Sequence, residues 1–132
     1  MSQENVEIVR AAFRAFEAKD SEAWVNCFHP NVELLLPRNV LEGGSYRGHE
    51  GARRALADAF ETWAAFRFEI HDIREVDDRV VVLGRATTVG KGDAPAIEFQ
   101  SGYVFKMGEG KIVYLRPYQS HHEALEAVGL SE

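Results

Sequence analysis

The chain has 132 residues, which suits one compact domain over residues 1–132 with a substantial apolar core. Its 21 acidic and 15 basic side chains give a net charge of −6, which disfavours nucleic acid or an anionic membrane as a partner. Cys27 is the single cysteine, so no intrachain disulfide is possible. No apolar run approaches the ~18 residues of a membrane span, and the polar start MSQENVEIVR has no apolar signal core. We therefore expect a cytoplasmic protein.

The first third of the chain predicts two helices and a strand. Apolar side chains recur at spacings of three and four over residues 4–18, which indicates an amphipathic helix. A second, short helix is predicted to run through Trp24 and Phe28. It ends before Pro30, because the residue that precedes a proline is disfavoured in a helix. The next segment, VELLLP, is typical of a short strand.

The rest of the chain predicts a third helix, a four-stranded meander and a closing helix. A glycine-rich loop at residues 38–48 leads into HEGARRALADAFETW, which returns to the helical period. Strand-like segments separated by turn signals follow at 66–76, 79–89, 96–107 and 111–119. This order of elements indicates an α+β fold in which a mostly antiparallel sheet packs against helices.

Two adjacent histidines lie where the last strand meets the last helix. The segment SHHE has the spacing of a capping box, in which Ser120 accepts a hydrogen bond from the N–H of Glu123 and Glu123 returns one to Ser120. His121 and His122 then occupy the first helical turn as half-exposed surface residues. The five histidines show neither an H-x-x-x-H spacing nor a cysteine partner, so we predict no metal site.

Six segments occur in an order that resembles the SnoaL-like branch of the NTF2-like superfamily: SQENVEIVRAAFRAFEAKD, HPNVELLLP, YRGHEGARRAL, DDRVVVLGRAT, GKIVYLRPY and HEALEAVGL. The resemblance covers nearly the whole chain. It implies the cone fold of ketosteroid isomerases and polyketide cyclases, with a curved sheet wrapped around three N-terminal helices and a short C-terminal helix. It also implies one deep pocket, and often a homodimer through the outer sheet face, where Tyr114, Arg116 and Tyr118 lie.

The resemblance does not extend to the residues of ketosteroid isomerase chemistry. It places the family's helical tyrosine at Ala12, its carboxylate base at Leu36 and its buried aspartic acid at Ser101 or Gly102. A leucine cannot accept a proton, and neither an alanine nor a glycine can hold an oxyanion. We therefore expect no steroid isomerisation. The fold hosts enzymes and non-catalytic binders alike, so any other activity stays open.

Strand alternation predicts an aromatic, mostly apolar pocket with few polar groups. Alternation assigns to its lining Leu34, Leu36, Ser101, Tyr103, Leu115, Pro117 and Gln119. Trp24, Phe28 and Trp63 are expected to close its wall from the helices, and the resemblance places Arg38 and Tyr46 at the mouth. Tyr103 is the favoured acid or hydrogen-bond donor and Gln119 the favoured orienting group.

Such a pocket suits a small hydrophobic metabolite of polyketide, terpenoid or aromatic type, bound or converted without a cofactor. If a reaction occurs, it would be an isomerisation, a cyclisation or a hydration. The alternative is a non-catalytic ligand-binding or dimerisation module, in which Tyr103 and Gln119 satisfy each other or the backbone in a filled core.

Overall fold

The computed structural model describes residues 2–36 and 44–130. The elements in these ranges are α1 (Ser2–Ala18), α2 (Ser21–Asn26), β1 (Phe28–Leu34), β2 (Tyr46–Arg47), α3 (Gly48–Thr62), β3 (Trp63–Val76), β4 (Arg79–Gly90), β5 (Ala96–Gly108), β6 (Lys111–Tyr118) and α4 (His121–Ala127). The predicted α+β class is confirmed.

The strands form one curved sheet that does not close, in the order β2-β1-β6-β5-β4-β3. Neighbouring strands are antiparallel except for β1 and β6, which run parallel. Bulges interrupt the pairing, one of them between Ile70 and Asp72 of β3. A bulge bends its strand and increases the local twist. The long strands can therefore wrap around the helices as the predicted cone requires.

The two faces of the sheet bury different helices. Val80 and Val82 of β4 pack in the large core beneath α1, α2 and α3, whereas Val81 and Leu83 pack in a smaller core with α4. Successive strand side chains point to opposite faces, so this alternation identifies the concave inner face and the outer face. On β5, the inner face carries Tyr103, and the outer face carries Val104.

Two element boundaries differ from the sequence prediction. α2 ends at Asn26, and Phe28 is the first residue of β1 rather than the end of a helix. The helix α2 ends earlier than predicted because Ile112 of β6 donates its N–H to the carbonyl of Cys27 at 3.0 Å. This bond draws the segment after α2 into the sheet. Part of the predicted loop at 38–48 is the short strand β2, and residues 37–43 lie outside the described part of the chain.

A bulge also changes which residues of β6 face the core. The pairing shifts between Lys106 and Met107, so Ile112 lies opposite Met107, and Leu115 lies opposite Phe105. Both Ile112 and Leu115 are buried in the large core. Simple alternation places Val113 inside with Leu115, and the structure corrects this, because the bulge inserts one extra residue on β6.

The capping prediction for α4 is confirmed in its first half. The hydroxyl of Ser120 accepts a hydrogen bond from the N–H of Glu123 at 3.1 Å. The return bond from Glu123 to the N–H of Ser120 is not formed among the described residues. His122 is exposed, but His121 is half-buried, and its Nε2 donates to the carbonyl of Gly84 at 3.0 Å. His121 therefore fastens α4 to the sheet.

Candidate functional site: the inner face around Tyr103

Two neighbouring rows of side chains cross the inner face. The first, which we call the closed row, consists of Leu34, Leu115 and Phe105, which lie opposite one another on β1, β6 and β5. Their exposures are 0%, 4% and 2%. A side chain with almost no accessible surface contacts no space large enough for water. The closed row is therefore solid core.

The second row, which we call the open row, consists of Leu36, Pro117 and Tyr103. Pro117 lies opposite Tyr103. The N–H of Leu35 donates to the carbonyl of Leu115 at 2.8 Å, which keeps the chain beside β6 as far as Leu36. All three members of the open row are half-buried. The inner face is thus sealed at the closed row and partly accessible at the open row, two residues away along each strand.

Tyr103 lies in an aromatic environment. Its ring meets the ring of Phe13 edge-on at 5.1 Å and that of Phe68 at 5.0 Å and 90°. Burial raises the pKa of Tyr103 to about 12, although a hydrogen bond with the Ser101 side chain acts in the opposite direction. Tyr103 is therefore a neutral phenol at physiological pH. It can donate a hydrogen bond, but it cannot act as a base.

Ser101 accompanies Tyr103, but Gln119 does not. Ser101 is 4% exposed and lies two residues before Tyr103 on the same face of β5. Gln119 is exposed and follows the last residue of β6. Its side chain makes no hydrogen bond to another residue of the described chain. The structure therefore shows no hydrogen bond between Gln119 and Tyr103.

Four predicted lining residues lie in the closed core rather than on an accessible surface. They are Trp24, Phe28, Leu34 and Leu115. Trp24 is held from two sides, because its Nε1 donates to the carbonyl of Ala52 at 2.8 Å and its ring meets that of Phe28 at 4.6 Å. Sequence alternation cannot separate these four residues from lining residues, because both groups point inward.

Trp63 and Tyr46 have the partial exposure that lining residues need. Trp63 stacks on Phe66 with ring centroids 5.4 Å apart and is half-buried. Tyr46 is also half-buried, and its hydroxyl donates to Oδ2 of Asp58 at 2.6 Å. The predicted mouth residue Arg38 lies outside the described residues.

Asp58 is the residue that the sequence prediction missed. It lies on α3, half-buried beside the core residues Ala55 and Leu56. An acidic residue inside the apolar pattern of ALADAF was the available signal, since an acidic side chain there needs a partner. The fold supplies Tyr46 as that partner, twelve positions earlier.

Two open depressions lie elsewhere, along β4 and β5, and one of them is also lined by Glu17 of α1. Their volumes are about 450 and 440 Å³. Arg85 and Glu98 line both and approach each other to 3.5 Å. The described lining of these depressions is mainly polar and contains none of the residues predicted for the pocket.

The described residues give little support for a metal site, a cysteine nucleophile or a membrane-spanning helix. Within residues 2–36 and 44–130, no group of three His, Cys, Asp or Glu side chains is placed to hold a metal ion. Cys27 is buried, and burial raises the pKa of its thiol, so it is a poor nucleophile. None of the described helices has the length and apolar character needed to cross a membrane.

The curved sheet around three helices, with a partly accessible inner face, is the NTF2-like fold. The chain belongs to the SnoaL-like domain family, whose sequence pattern matches residues 9–115. No curated protein matches the sequence.

Solved structures with the same fold carry different names. TerC, co-crystallised with polyporic acid, is 23% identical, with a TM-score of 0.78, over 95% of this chain and 97% of its own. A hypothetical protein with a ketosteroid isomerase-like fold from Catenulispora acidiphila, in complex with trimethylamine, is 18% identical, with a TM-score of 0.77, over 94% of this chain and 93% of its own. An LEH-like epoxide hydrolase from M. tuberculosis is 16% identical, with a TM-score of 0.73, over 96% of this chain and 90% of its own. Identities this low show the fold alone.

Proposed function

We propose that this protein binds a small hydrophobic metabolite of polyketide, terpenoid or aromatic type on the open row, without a cofactor. The observation that carries the proposal is the contrast between the sealed closed row and the half-buried open row beside it. Leu36 and Pro117 offer an apolar surface, and Tyr103 adds a hydrogen-bond donor in a desolvated environment. A mostly apolar surface with one placed donor suits a flat molecule that carries an oxygen.

The same geometry limits the chemistry that the protein can perform. A neutral Tyr103 can stabilise a carbonyl oxygen or the oxyanion that develops from it, which isomerisations and cyclisations need. Steroid isomerisation is not proposed, because the resemblance to ketosteroid isomerases places their helical tyrosine at Ala12 and their carboxylate base at Leu36, and neither side chain carries a polar group. TerC and the epoxide hydrolase show that proteins with different names share this fold, so the reaction is left open.

The test is the substitution Tyr103→Phe, with 2-acetylnaphthalene as a flat carbonyl probe in calorimetric titrations. Loss of a neutral hydrogen bond costs about 0.5–1.5 kcal/mol, so affinity should fall about 2- to 12-fold while the fold is kept. Tyr114→Phe is the matched control, because it removes a hydroxyl from the outer face. Equal affinities of wild type and Tyr103→Phe would remove Tyr103 from the site.

A non-catalytic binding module is the second candidate. The observation in its favour is the pKa of Tyr103, about 12, which leaves the residue neither a base nor a ready proton source. The two candidates separate when a bound ligand is incubated with the protein and recovered for mass spectrometry. Unchanged ligand after many binding lifetimes supports the module, and a product whose amount scales with protein supports an enzyme.

We also propose a homodimer formed through the outer face of β6. Tyr114, Arg116 and Tyr118 are half-buried there, and the Arg116 guanidinium lies 4.9 Å from the centre of the Tyr118 ring. Nε of Arg116 is buried without a hydrogen-bond partner among the described residues. Tyrosine and arginine are enriched at interfaces.

Sedimentation tests the dimer at tens of micromolar, a range in which a Kd near 1 µM or below gives mostly dimer. Tyr114→Glu should shift the protein to monomer by placing a charge in the interface. Arg67→Glu on the exposed side of β3 is the control and should stay dimeric. A monomeric wild type contradicts the proposal.

A further inference from the structure

The outer face of β6 and β1 carries opposite charges side by side. Glu33 of β1 lies opposite Tyr114 of β6. Both side chains point outward, because the next pair along the two strands is buried in the large core. Arg116 points the same way, since it lies opposite Val104, which packs in the smaller core with α4. Arg116 and Glu33 therefore share one surface, with their backbones roughly 8 Å apart.

Arg116 has no carboxylate partner among the described residues. It is half-buried, and its Nε is buried without a hydrogen-bond partner in this part of the chain. The guanidinium lies 4.9 Å from the centre of the Tyr118 ring, a cation–π contact that uses none of its N–H groups. A guanidinium has five N–H donors, and taking them out of water is unfavourable unless they meet acceptors. Arg116 thus favours an acceptor from another molecule.

Glu33 has acceptor positions to offer. Its Oε2 accepts a hydrogen bond from Nη2 of Arg47 at 3.3 Å, and its side chain is 38% exposed. The side chain of Arg47 is 76% exposed, so this ion pair lies in water and contributes little to stability. A carboxylate has about four acceptor positions on its two oxygens, so Glu33 can accept hydrogen bonds from a second guanidinium. Within the described chain, Glu33 and Arg116 do not pair with each other.

The two strands present complementary pairs of side chains. On β6 they are Tyr114 and Arg116, and on β1 they are Glu33 and Leu35. Leu35 stays beside β6 because its N–H donates to the carbonyl of Leu115 at 2.8 Å. It points outward, since the residues before and after it pack in the large core. All four side chains are half-buried, so each has surface left for a partner.

A twofold axis that lies in the interface and runs between β6 and β1 exchanges the two strands. Two copies packed face to face about this axis place β6 of each protomer on β1 of its partner. The long side chain of Arg116 then reaches the partner's Glu33. Such an isologous interface makes every contact twice. The strands of the two sheets stay within about 30° of each other, which is a common arrangement for packed sheets.

We propose that two reciprocal ion pairs hold the homodimer, each between Arg116 of one protomer and Glu33 of its partner. The inference rests on the proposed homodimer and specifies which residues meet in it. The face fits a second copy of the chain because it carries both charges, on the two strands that the axis exchanges. A purely acidic partner would satisfy Arg116 but repel Glu33.

Charge reversal followed by mixing tests the pairing. The variants are Arg116→Glu and Glu33→Arg, studied by sedimentation equilibrium at tens of micromolar. In each variant alone, the dimer should dissociate about 100-fold more readily than the wild type, because two attractive contacts become two repulsive ones. An equimolar mixture of the two variants should recover the dimer, since each reversed charge then meets an opposite one. A chain that carries both reversals should recover it for the same reason.

Arg67→Glu and Glu61→Arg are the matched controls, because they make the same changes of charge at exposed positions on β3 and α3. They should dimerise as the wild type does, both alone and mixed. A neutral double-mutant cycle covers the case in which a reversed charge prevents folding. Arg116→Gln and Glu33→Gln should each weaken the dimer about 10-fold, and the two together should weaken it no further. Thermal melting followed by circular dichroism confirms that each variant is folded.

The outcomes distinguish this inference from the dimer on which it rests. If the wild type is dimeric and Tyr114→Glu is monomeric, the proposed dimer stands. The pair of Arg116 and Glu33 is then refuted if each reversed variant stays dimeric, if their mixture stays monomeric, or if the losses in the neutral cycle add. If the wild type sediments as a monomer, the proposed dimer fails and the inference fails with it.

Discussion

Replacing Gly102 with alanine tests how closely α4 packs on the outer face of the sheet. A Cβ at position 102 would lie 2.7 Å from Cβ of Ala124 and 3.4 Å from Cδ2 of Leu83. Carbon atoms pack best at about 3.5–4.0 Å. The helix must therefore move by about 1 Å, although it is held by the Ser120 cap and by the bond between His121 and Gly84.

Overpacking of this kind costs about 1–3 kcal/mol. Alanine also reduces the conformational entropy of the unfolded chain, which offsets up to about 1 kcal/mol of this cost. Gly102→Ala should therefore destabilise the protein by about 1–2 kcal/mol. Urea unfolding followed by circular dichroism measures this value. The second variant is Ala124→Gly, which deletes the opposing methyl group and costs about 1 kcal/mol of helix propensity.

The double variant gives the decisive result. Because Ala124→Gly removes the clash, the combined loss of stability should be smaller than the sum of the two single losses, by about 1–2 kcal/mol. The ligand affinity of the inner face should not change. Strict additivity, or a stable Gly102→Ala variant, would refute the close contact between α4 and β5.

Three further predictions concern the cap, the buried phenol and the absent isomerase groups. Ser120→Ala should lower the free energy of unfolding by about 1 kcal/mol. His121→Ala should lower it by a similar amount, because the hydrogen bond to Gly84 is lost. His122→Ala should change it by no more than about 0.5 kcal/mol. Urea unfolding measures all three values. The folded pKa of Tyr103, about 12, exceeds the unfolded value of about 10. Its contribution to stability is therefore complete below pH 10 and falls as the pH rises towards 12, and Tyr103→Phe should flatten that decline in alkaline unfolding curves. The purified protein should not shift a steroid 5-ene double bond above the uncatalysed rate in an absorbance assay, and turnover proportional to protein would contradict this.

The elements that carry a local signal were predictable from the sequence. The 3.6-residue period of α1 and the turn signals between β3, β4, β5 and β6 lie within short stretches of chain, so the predicted order and class agree with the structure. The cap at Ser120 is equally local, because the hydroxyl and the N–H that it accepts from are three residues apart. Here propensity and tertiary packing favour the same conformation.

The candidate site was only partly predictable, because alternation gives the direction of a side chain and not what covers it. Tyr103 and Leu115 both point inward, yet one keeps accessible surface and the other has almost none. The helices decide this difference by where they lie on the sheet. The bulge in β6 shows a second limit, because an inserted residue reverses the faces, and its position depends on the pairing with β5.

The sequence by itself determined the α+β class, the order of the elements and the cap of α4. Each of these depends on residue identity or on spacings of a few residues. Only the tertiary structure decided that Asp58 meets Tyr46, that His121 reaches Gly84 and that Gln119 is exposed. These features join residues distant in the chain, or depend on where a strand ends. Their positions follow from the packing of the helices and the curvature of the sheet, which no local pattern encodes.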